Sequence, residues 1–156
     1  MELIDNLHKI WKKQNHLFLI SEEVNLSFED LLNHKPIETS EIESGDVVSL
    51  VGDFDASTII TFLNLVEKNV IVVPLTKETF KQHEYFFEQS FSNVIIKNKT
   101  VKKYKRKSNP LLEQLRYKNR PGLVLFSTGT TGNLKKKRLG NRRGVSRLWL
   151  FGFPGS

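Results

Sequence analysis

The chain has 156 residues, of which 38% are hydrophobic and 26% are charged, a composition typical of one folded domain with its own core. It contains no cysteine, which excludes disulfides, a thiolate nucleophile and cysteine-based zinc sites. Residues 1–96 carry 7 Lys and Arg against 16 Asp and Glu, whereas residues 97–156 carry 17 against one. The second part is therefore strongly basic and favours an anionic ligand or partner.

The first 45 residues predict two helices and a short strand. Apolar side chains at helical spacing predict a helix over residues 3–14, and residues 17–20 are predicted to form a short apolar strand. Ser27 is suited to be the N-cap of the second helix. The polar residues 35–45 follow as a surface connection.

The next fifty residues alternate between strand and helix patterns. Asp55 is a candidate N-cap for the helix between the first two strands, and Asn69 can take the left-handed position at its end. A further helix is predicted over residues 79–90, with aromatic side chains facing the sheet: Phe80, Phe87 and Phe91. Buried strands are predicted at residues 46–51, 70–75 and 93–96. The alternation predicts an α/β fold with a mainly parallel sheet and flanking helices.

A run of Lys and Arg occupies residues 97–107. A solvated strand edge or loop is one interpretation, because lysines commonly protect exposed sheet edges. A surface facing a nucleotide or nucleic acid is the other. A short helix is predicted to begin at Pro110, and Pro121 and Gly122 are predicted to start a further strand.

An apolar run over residues 123–126 stops abruptly in a loop of hydroxyls and glycines that ends in a lysine. Glycines let the backbone approach a ligand closely, successive N–H groups can form an anion-binding concavity, and hydroxyls and a lysine add donors. The predicted phosphate-binding residues are Ser127, Thr128, Gly129, Thr130, Thr131, Gly132 and Lys135. The spacing is not that of a Walker A loop, because Leu134 stands where that motif has its glycine. A Gly/Thr turn between strand and helix without a ligand is the alternative interpretation.

The loop resembles the phosphate loop of the AMP-forming adenylating enzymes, which include acyl-CoA synthetases, luciferases and peptide-synthetase adenylation domains. Their signature reads [ST]-[ST]-G-[ST]-[ST]-G-x-P-K after a buried strand, and residues 127–132 match it at six of six positions. Lys135 matches the lysine, whereas Leu134 replaces the proline. Residues 27–31 and 45–75 are also similar to segments of that family. The resemblance therefore implies an N-terminal subdomain of the AMP-binding type over residues 1–135.

The resemblance implies a reaction in which a carboxylate attacks the α-phosphate of Mg-ATP. An acyl-adenylate forms, pyrophosphate leaves, and the acyl group passes to a thiol such as coenzyme A or a carrier thiol. The loop would hold the departing β- and γ-phosphates. The family's magnesium ligand, adenine site and catalytic lysine lie beyond its phosphate loop. The resemblance therefore assigns no catalytic residue and no metal ligand here. It implies an acid–thiol ligase fragment that is inactive alone and binds ATP or pyrophosphate weakly.

Residues 136–156 form a tail without the family's pattern, first basic and then apolar. The tail is expected to be either the end of a truncated or frame-shifted gene or a basic arm for an acidic partner or a membrane surface. Without further strands to cover it, residues 148–153 are expected to stay mobile. The alternative function is that of a small basic α/β module that binds nucleic acid or another polyanion.

Metal sites and membrane spans are not predicted from the sequence. The four histidines lack the spacing of metal ligands: His8, His16, His34 and His83. No apolar signal core begins the chain, and no apolar run approaches the roughly 18 residues of a membrane span. A cytoplasmic location is expected by default.

Overall fold

The computed structural model describes residues 2–12, 16–21, 24–53, 55–107, 109–127 and 147–152. The helices are α1 (Glu2–Trp11), α2 (Phe28–Leu32), α3 (Ala56–Glu67), α4 (His83–Gln89) and α5 (Pro110–Tyr117), and a 3-10 helix (Lys77–Gln82) precedes α4. The strands are β1 (Leu19–Ile20), β2 (Asn25–Leu26), β3 (Val47–Val51), β4 (Ile71–Leu75), β5 (Val94–Lys97), β6 (Thr100–Lys103), β7 (Gly122–Ser127) and β8 (Arg147–Gly152). Among these helices, none has the length and apolar content that a membrane crossing requires.

Six of the strands form one mixed sheet in the order β6-β5-β3-β4-β7-β8. The four central strands run parallel, as predicted, because helical crossovers connect them. The two outer strands run antiparallel to their neighbours. The predicted α/β class with flanking helices is therefore confirmed, and the predicted mainly parallel sheet is wrong for the outer strands. Strand β6 follows β5 through a two-residue turn in which Asn98 and Lys99 both have positive φ, so the chain reverses without a crossover.

The ladder between β4 and β7 is shorter than the ladder between β3 and β4. Pairing of β4 with β7 ends at Val72 and Leu123, whereas pairing with β3 continues to Leu75. Pro74 explains the difference, because it has no N–H to donate. The N–H of Gly122 donates to the carbonyl of Val70, so the backbone N–H and C=O groups of the even-numbered residues of β4 point towards β7. The proline therefore removes the next donor of that ladder.

Helices cover the sheet on both faces. On one face, α3 packs against β3, β4 and β5 through a cluster that includes Leu50, Leu65 and Val72. On the other face, helices α4 and α5 pack through a cluster that includes Phe87 and Leu112. Burial on both faces explains why β3 and β4 are largely β-branched and apolar instead of alternating between apolar and polar residues.

A small N-terminal unit packs on the outer side of α3. It consists of α1, α2 and the β1–β2 hairpin, and its buried side chains include Phe28 and Leu31. Ser27 begins α2 as predicted, since its hydroxyl accepts the Asp30 N–H while the Asp30 carboxylate accepts the Ser27 N–H. Ile60 of α3 completes the cluster. This unit lies away from the sheet and adds a third apolar cluster to the domain.

Two predictions about side-chain and tail placement are wrong. Phe80 does not face the sheet: its side chain is 62% exposed, because the segment before α4 is a 3-10 helix with a different periodicity. The apolar end of the tail was expected to lack a partner, but Arg147–Gly152 pairs along the full length of β7. By contrast, Asp55 caps α3 and Asn69 takes a left-handed conformation, as predicted.

Candidate functional site

The carboxyl ends of the four parallel strands meet at one edge of the sheet, here called the carboxyl edge. In open α/β sheets, ligands bind outside this edge. Ser127 is the last residue of β7, so the predicted phosphate loop leaves the sheet at this edge. The other predicted site residues, Thr128, Gly129, Thr130, Thr131, Gly132 and Lys135, lie outside the described residues. Their role as phosphate ligands stays a prediction.

The connections that follow β3 and β4 diverge at the carboxyl edge, because α3 lies on one face of the sheet and α4 on the other. A shallow cleft of about 240 Å³ opens beside them. Its lining includes Gly52, Asp55, Lys77 and Lys99. Lys77 contacts Asp53 at 2.9 Å, and hydrogen bonds from Lys77 hold the pKa of that carboxyl below its ordinary value. This ion pair joins the loop after β3 to the loop after β4.

The first turn of α3 borders the cleft, and hydrogen-bond donors of this turn already have an acceptor in the same segment. Asp55 accepts the backbone N–H of Thr58 at 2.9 Å and the Thr58 hydroxyl at 2.7 Å. The carboxylate therefore occupies the position at which a helix N-terminus would bind an external anion. Gly52 is closely approached here, since a Cβ built on it would lie 2.4 Å from the Thr58 hydroxyl oxygen.

On the opposite face of the sheet, aromatic packing positions the end of β7. The rings of Phe126 and Phe86 stack with their centroids 4.4 Å apart. One turn earlier on α4, His83 is 2% exposed, and its Nε2 lies 2.9 Å from the carbonyl oxygen of Thr76. Its Nδ1 is buried and has no hydrogen-bond partner among the described residues.

The burial of His83 at the carboxyl edge was not predicted. Its distance of three and four residues from Phe86 and Phe87 gives it a position on the buried face of α4. That spacing was the available signal. Of the other histidines, His8 lies beside Phe28, whereas His16 and His34 are exposed. In the part of the chain that the structure describes, no three metal-ligating side chains come together.

The opposite, amino edge of the sheet holds a buried polar cluster around Asp46. Its carboxylate accepts hydrogen bonds from the Glu43 N–H, the Asn93 amide and the Arg106 guanidinium. Burial alone would raise the pKa of Asp46, but these donors together hold it below its ordinary value. The cluster joins the starts of β3 and β5 to the segment after β6, and it lies away from the predicted site.

Comparison with known proteins finds similarity at the level of structure. No family model matches the chain, and no curated protein matches it either. Among solved structures, the N-terminal subdomain of NpsA from Klebsiella oxytoca is similar, with a TM-score of 0.55 and 13% sequence identity. The match covers 80% of this chain and 37% of the length of that one. At this identity the likeness shows the fold alone.

Proposed function

We propose that this chain is the phosphate-loop-bearing N-terminal subdomain of an AMP-forming acid–thiol ligase, and that it binds the β- and γ-phosphates of Mg-ATP. The observation that carries the proposal is the position of the loop sequence. It begins at Ser127, where a buried parallel strand ends at the carboxyl edge of the sheet. The fold likeness to the NpsA subdomain agrees with this assignment.

Phosphate binding by such a loop uses groups of three kinds. Gly129 and Gly132 allow the backbone N–H groups to converge on an oxyanion, and the hydroxyls supply rotatable donors. Lys135 adds a positive charge that phosphate oxygens attract. These groups stabilise the negative charge that develops on departing pyrophosphate when an acid attacks the α-phosphate. Adenine, magnesium and acyl sites are assigned to no residue of this chain, so we expect binding alone, with a Kd of about 1 mM.

Two neighbouring lysines provide a matched test of the loop. Lys135→Ala and Lys136→Ala each remove one positive charge, but Lys135 alone matches the motif. Titration calorimetry with pyrophosphate should show a Kd raised about tenfold by Lys135→Ala and less than twofold by Lys136→Ala. Gly129→Val should abolish binding, because a β-branched residue resists positive φ and blocks the N–H groups. Equal effects of the two lysine variants, with no effect of Gly129→Val, would contradict the proposal.

The second candidate function is polyanion binding, and the basic charge of residues 97–156 favours it. The described part of that region includes β6 and the segment after it. Some of its charge is already engaged: Lys103 and Arg106 both contact Asp46. Polyanion binding would respond equally to Lys135→Ala and Lys136→Ala and would disappear at high salt. The pair of variants therefore separates the two functions.

A further inference from the structure

We propose that strand β8 is a self-association surface, and that its outer edge pairs antiparallel with the same strand of a second copy of this chain. The proposal goes beyond the proposed function and does not rest on it. Strand β8 (Arg147–Gly152) is the last strand of the six-stranded sheet and pairs with β7 on one side. Among the described residues, no strand pairs with its other side. The backbone N–H and C=O groups on that side are a template for a further strand.

The register of β7 and β8 shows which backbone groups of β8 point outward. The Gly122 N–H donates to Val70 on β4. Because backbone groups alternate sides along a strand, the odd-numbered residues of β7 direct theirs towards β8. These residues stand opposite odd-numbered residues of β8. The even-numbered residues of β8 therefore direct their N–H and C=O groups away from β7, and these residues are Leu148, Leu150 and Gly152.

The three outward residues fit a two-fold antiparallel pairing of two copies. When Leu150 stands opposite Leu150 of the second copy, Leu148 stands opposite Gly152, and every outward residue has a counterpart. Each such pair exchanges two backbone hydrogen bonds. A register shifted by two residues leaves one outward residue without a counterpart in the strand. The two-fold register centred on Leu150 therefore makes the most hydrogen bonds.

Charge distinguishes this edge from the opposite edge of the sheet. Strand β6 forms that opposite edge and contains Lys102 and Lys103, and lysines at a sheet edge oppose pairing with a second copy. Strand β8 has one charged residue, Arg147, at its first position, and its sequence is otherwise apolar. Antiparallel pairing in the central register separates the two Arg147 residues by about 20 Å along the strands, whereas parallel pairing would place them side by side.

The second copy is the occupant that these observations favour. A strand that pairs with β8 needs an unpaired edge, a similar length and a sequence without repelling charges. In the part of the chain that the structure describes, β8 itself is the strand that meets all three conditions. The pairing also separates the candidate sites of the two copies. Ser127 stands opposite Arg147, so the antiparallel strands place the two Ser127 residues at opposite edges of the joined sheet.

Amide exchange tests the pairing residue by residue on the unmodified full chain. Measured by NMR, exchange at Leu148, Leu150 and Gly152 should slow about tenfold between about 50 µM and about 1 mM protein, since these amides are paired only in the dimer. Exchange at Trp149 and Phe151 should change less than about twofold, because both amides already pair with β7. Fast exchange of the three outward amides at every concentration would overturn the proposal. Slow exchange at every concentration would also overturn it, because another part of the chain would then cover the edge.

Two substitutions of Leu150 test the same hydrogen bonds through the association constant. Leu150→Pro removes an outward N–H and spares the ladder to β7, because proline is tolerated on an edge strand where its nitrogen faces away from the sheet. Leu150→Val is the matched control, since it keeps the N–H and an apolar residue suited to a strand. Sedimentation equilibrium should show a dimer dissociation constant raised more than about tenfold by Leu150→Pro and less than about twofold by Leu150→Val. Equal constants for the two variants would contradict the pairing.

Salt dependence provides a test that does not depend on the folding of a variant. Each copy carries a formal net charge of +7, so repulsion opposes association and screening by salt favours it. The dimer fraction of the unmodified protein should therefore rise between about 50 mM and about 500 mM salt. A falling dimer fraction, which association through a bound polyanion would produce, would refute the proposal, as would a monomer at both salt concentrations. None of these readouts uses a nucleotide, so failure of pyrophosphate binding would overturn the proposed function without affecting this result.

Discussion

Removing the Asp46 carboxylate should destabilise the domain much more than removing a carboxylate at an exposed ion pair. The side chain of Asp46 is 1% exposed, and its two oxygens accept from three partners. Asp46→Ala leaves the Glu43 N–H, the Asn93 amide and the Arg106 guanidinium without this acceptor. The matched control is Asp53→Ala, because the Asp53 ion pair with Lys77 is largely exposed to solvent.

The structure sets the expected magnitudes. Breaking a buried ion pair costs about 3–5 kcal/mol when the remaining charge stays buried. The Arg106 side chain is 43% exposed and can turn towards water, so we expect a loss of about 2–3 kcal/mol for Asp46→Ala. An exposed pair contributes less than about 1 kcal/mol, which is the limit expected for Asp53→Ala. Urea denaturation at pH 7 measures both free energies of unfolding.

The dependence on pH gives the same prediction a second test. The folded-state pKa of Asp46 lies below its ordinary 3.8, so its stabilisation is fully present above that value and disappears as the pH falls through the folded-state pKa. The difference between the unmodified protein and Asp46→Ala should therefore be constant from pH 7 to about pH 5 and should shrink below about pH 4. A difference that stays constant to pH 2, or equal losses for Asp46→Ala and Asp53→Ala at pH 7, would refute the reasoning.

Two further substitutions test local geometry. Gly52→Ala should cost about 1–3 kcal/mol, because the new Cβ would meet both the hydroxyl and the methyl group of Thr58, which Asp55 holds in place; thermal denaturation measures the loss, and an unchanged midpoint would contradict the close approach. Ser27→Ala should cost about 1 kcal/mol, because it removes the hydroxyl that accepts the Asp30 N–H at the start of α2 and that donates to the Asp30 carboxylate. Urea denaturation should show a lower midpoint with an unchanged slope, whereas no shift would mean that the cap contributes nothing to stability.

The central part of the fold could be predicted because its signals are local. Residues 47–51 and 71–75 are β-branched runs, and buried parallel strands need that composition on both faces. The caps at Ser27 and Asp55 use side-chain oxygens within three residues of the N–H groups they accept. No long-range information is required to recognise either kind of signal.

The outer strands could not be predicted as readily, because they depend on pairing partners. The lysines of β6 fitted either a loop or a solvated strand edge, and the structure shows the edge strand, which exposes one side to water and tolerates them. Its two-residue turn has Lys99 with positive φ, where a hairpin would usually show glycine. The apolar residues of β8 gave no indication of their partner, since pairing with β7 is a contact between distant parts of the chain.

The residues of the candidate site could be predicted from the sequence, but the structural elements around them could not. The order of hydroxyls, glycines and lysine after β7 is visible in the sequence, and its resemblance to a known family supplied the proposed phosphate-binding role. The position of His83 beside Thr76 depends on the 3-10 helix between β4 and α4, which the sequence did not predict.

Pro74 limits the backbone pairing of β4 with β7 to the first part of the two strands. Up to Val72 and Leu123 the strands are joined by backbone hydrogen bonds, but beyond them Pro74 has no N–H to donate to β7. The end of β7 is held instead by its pairing with β8 and by the stack of Phe126 on Phe86. Its last residues can therefore shift together with β8 without breaking a ladder bond to β4, and helix α4 limits such movement on that face of the sheet. Changes in α4 should be transmitted to the strand end more strongly than changes in β4.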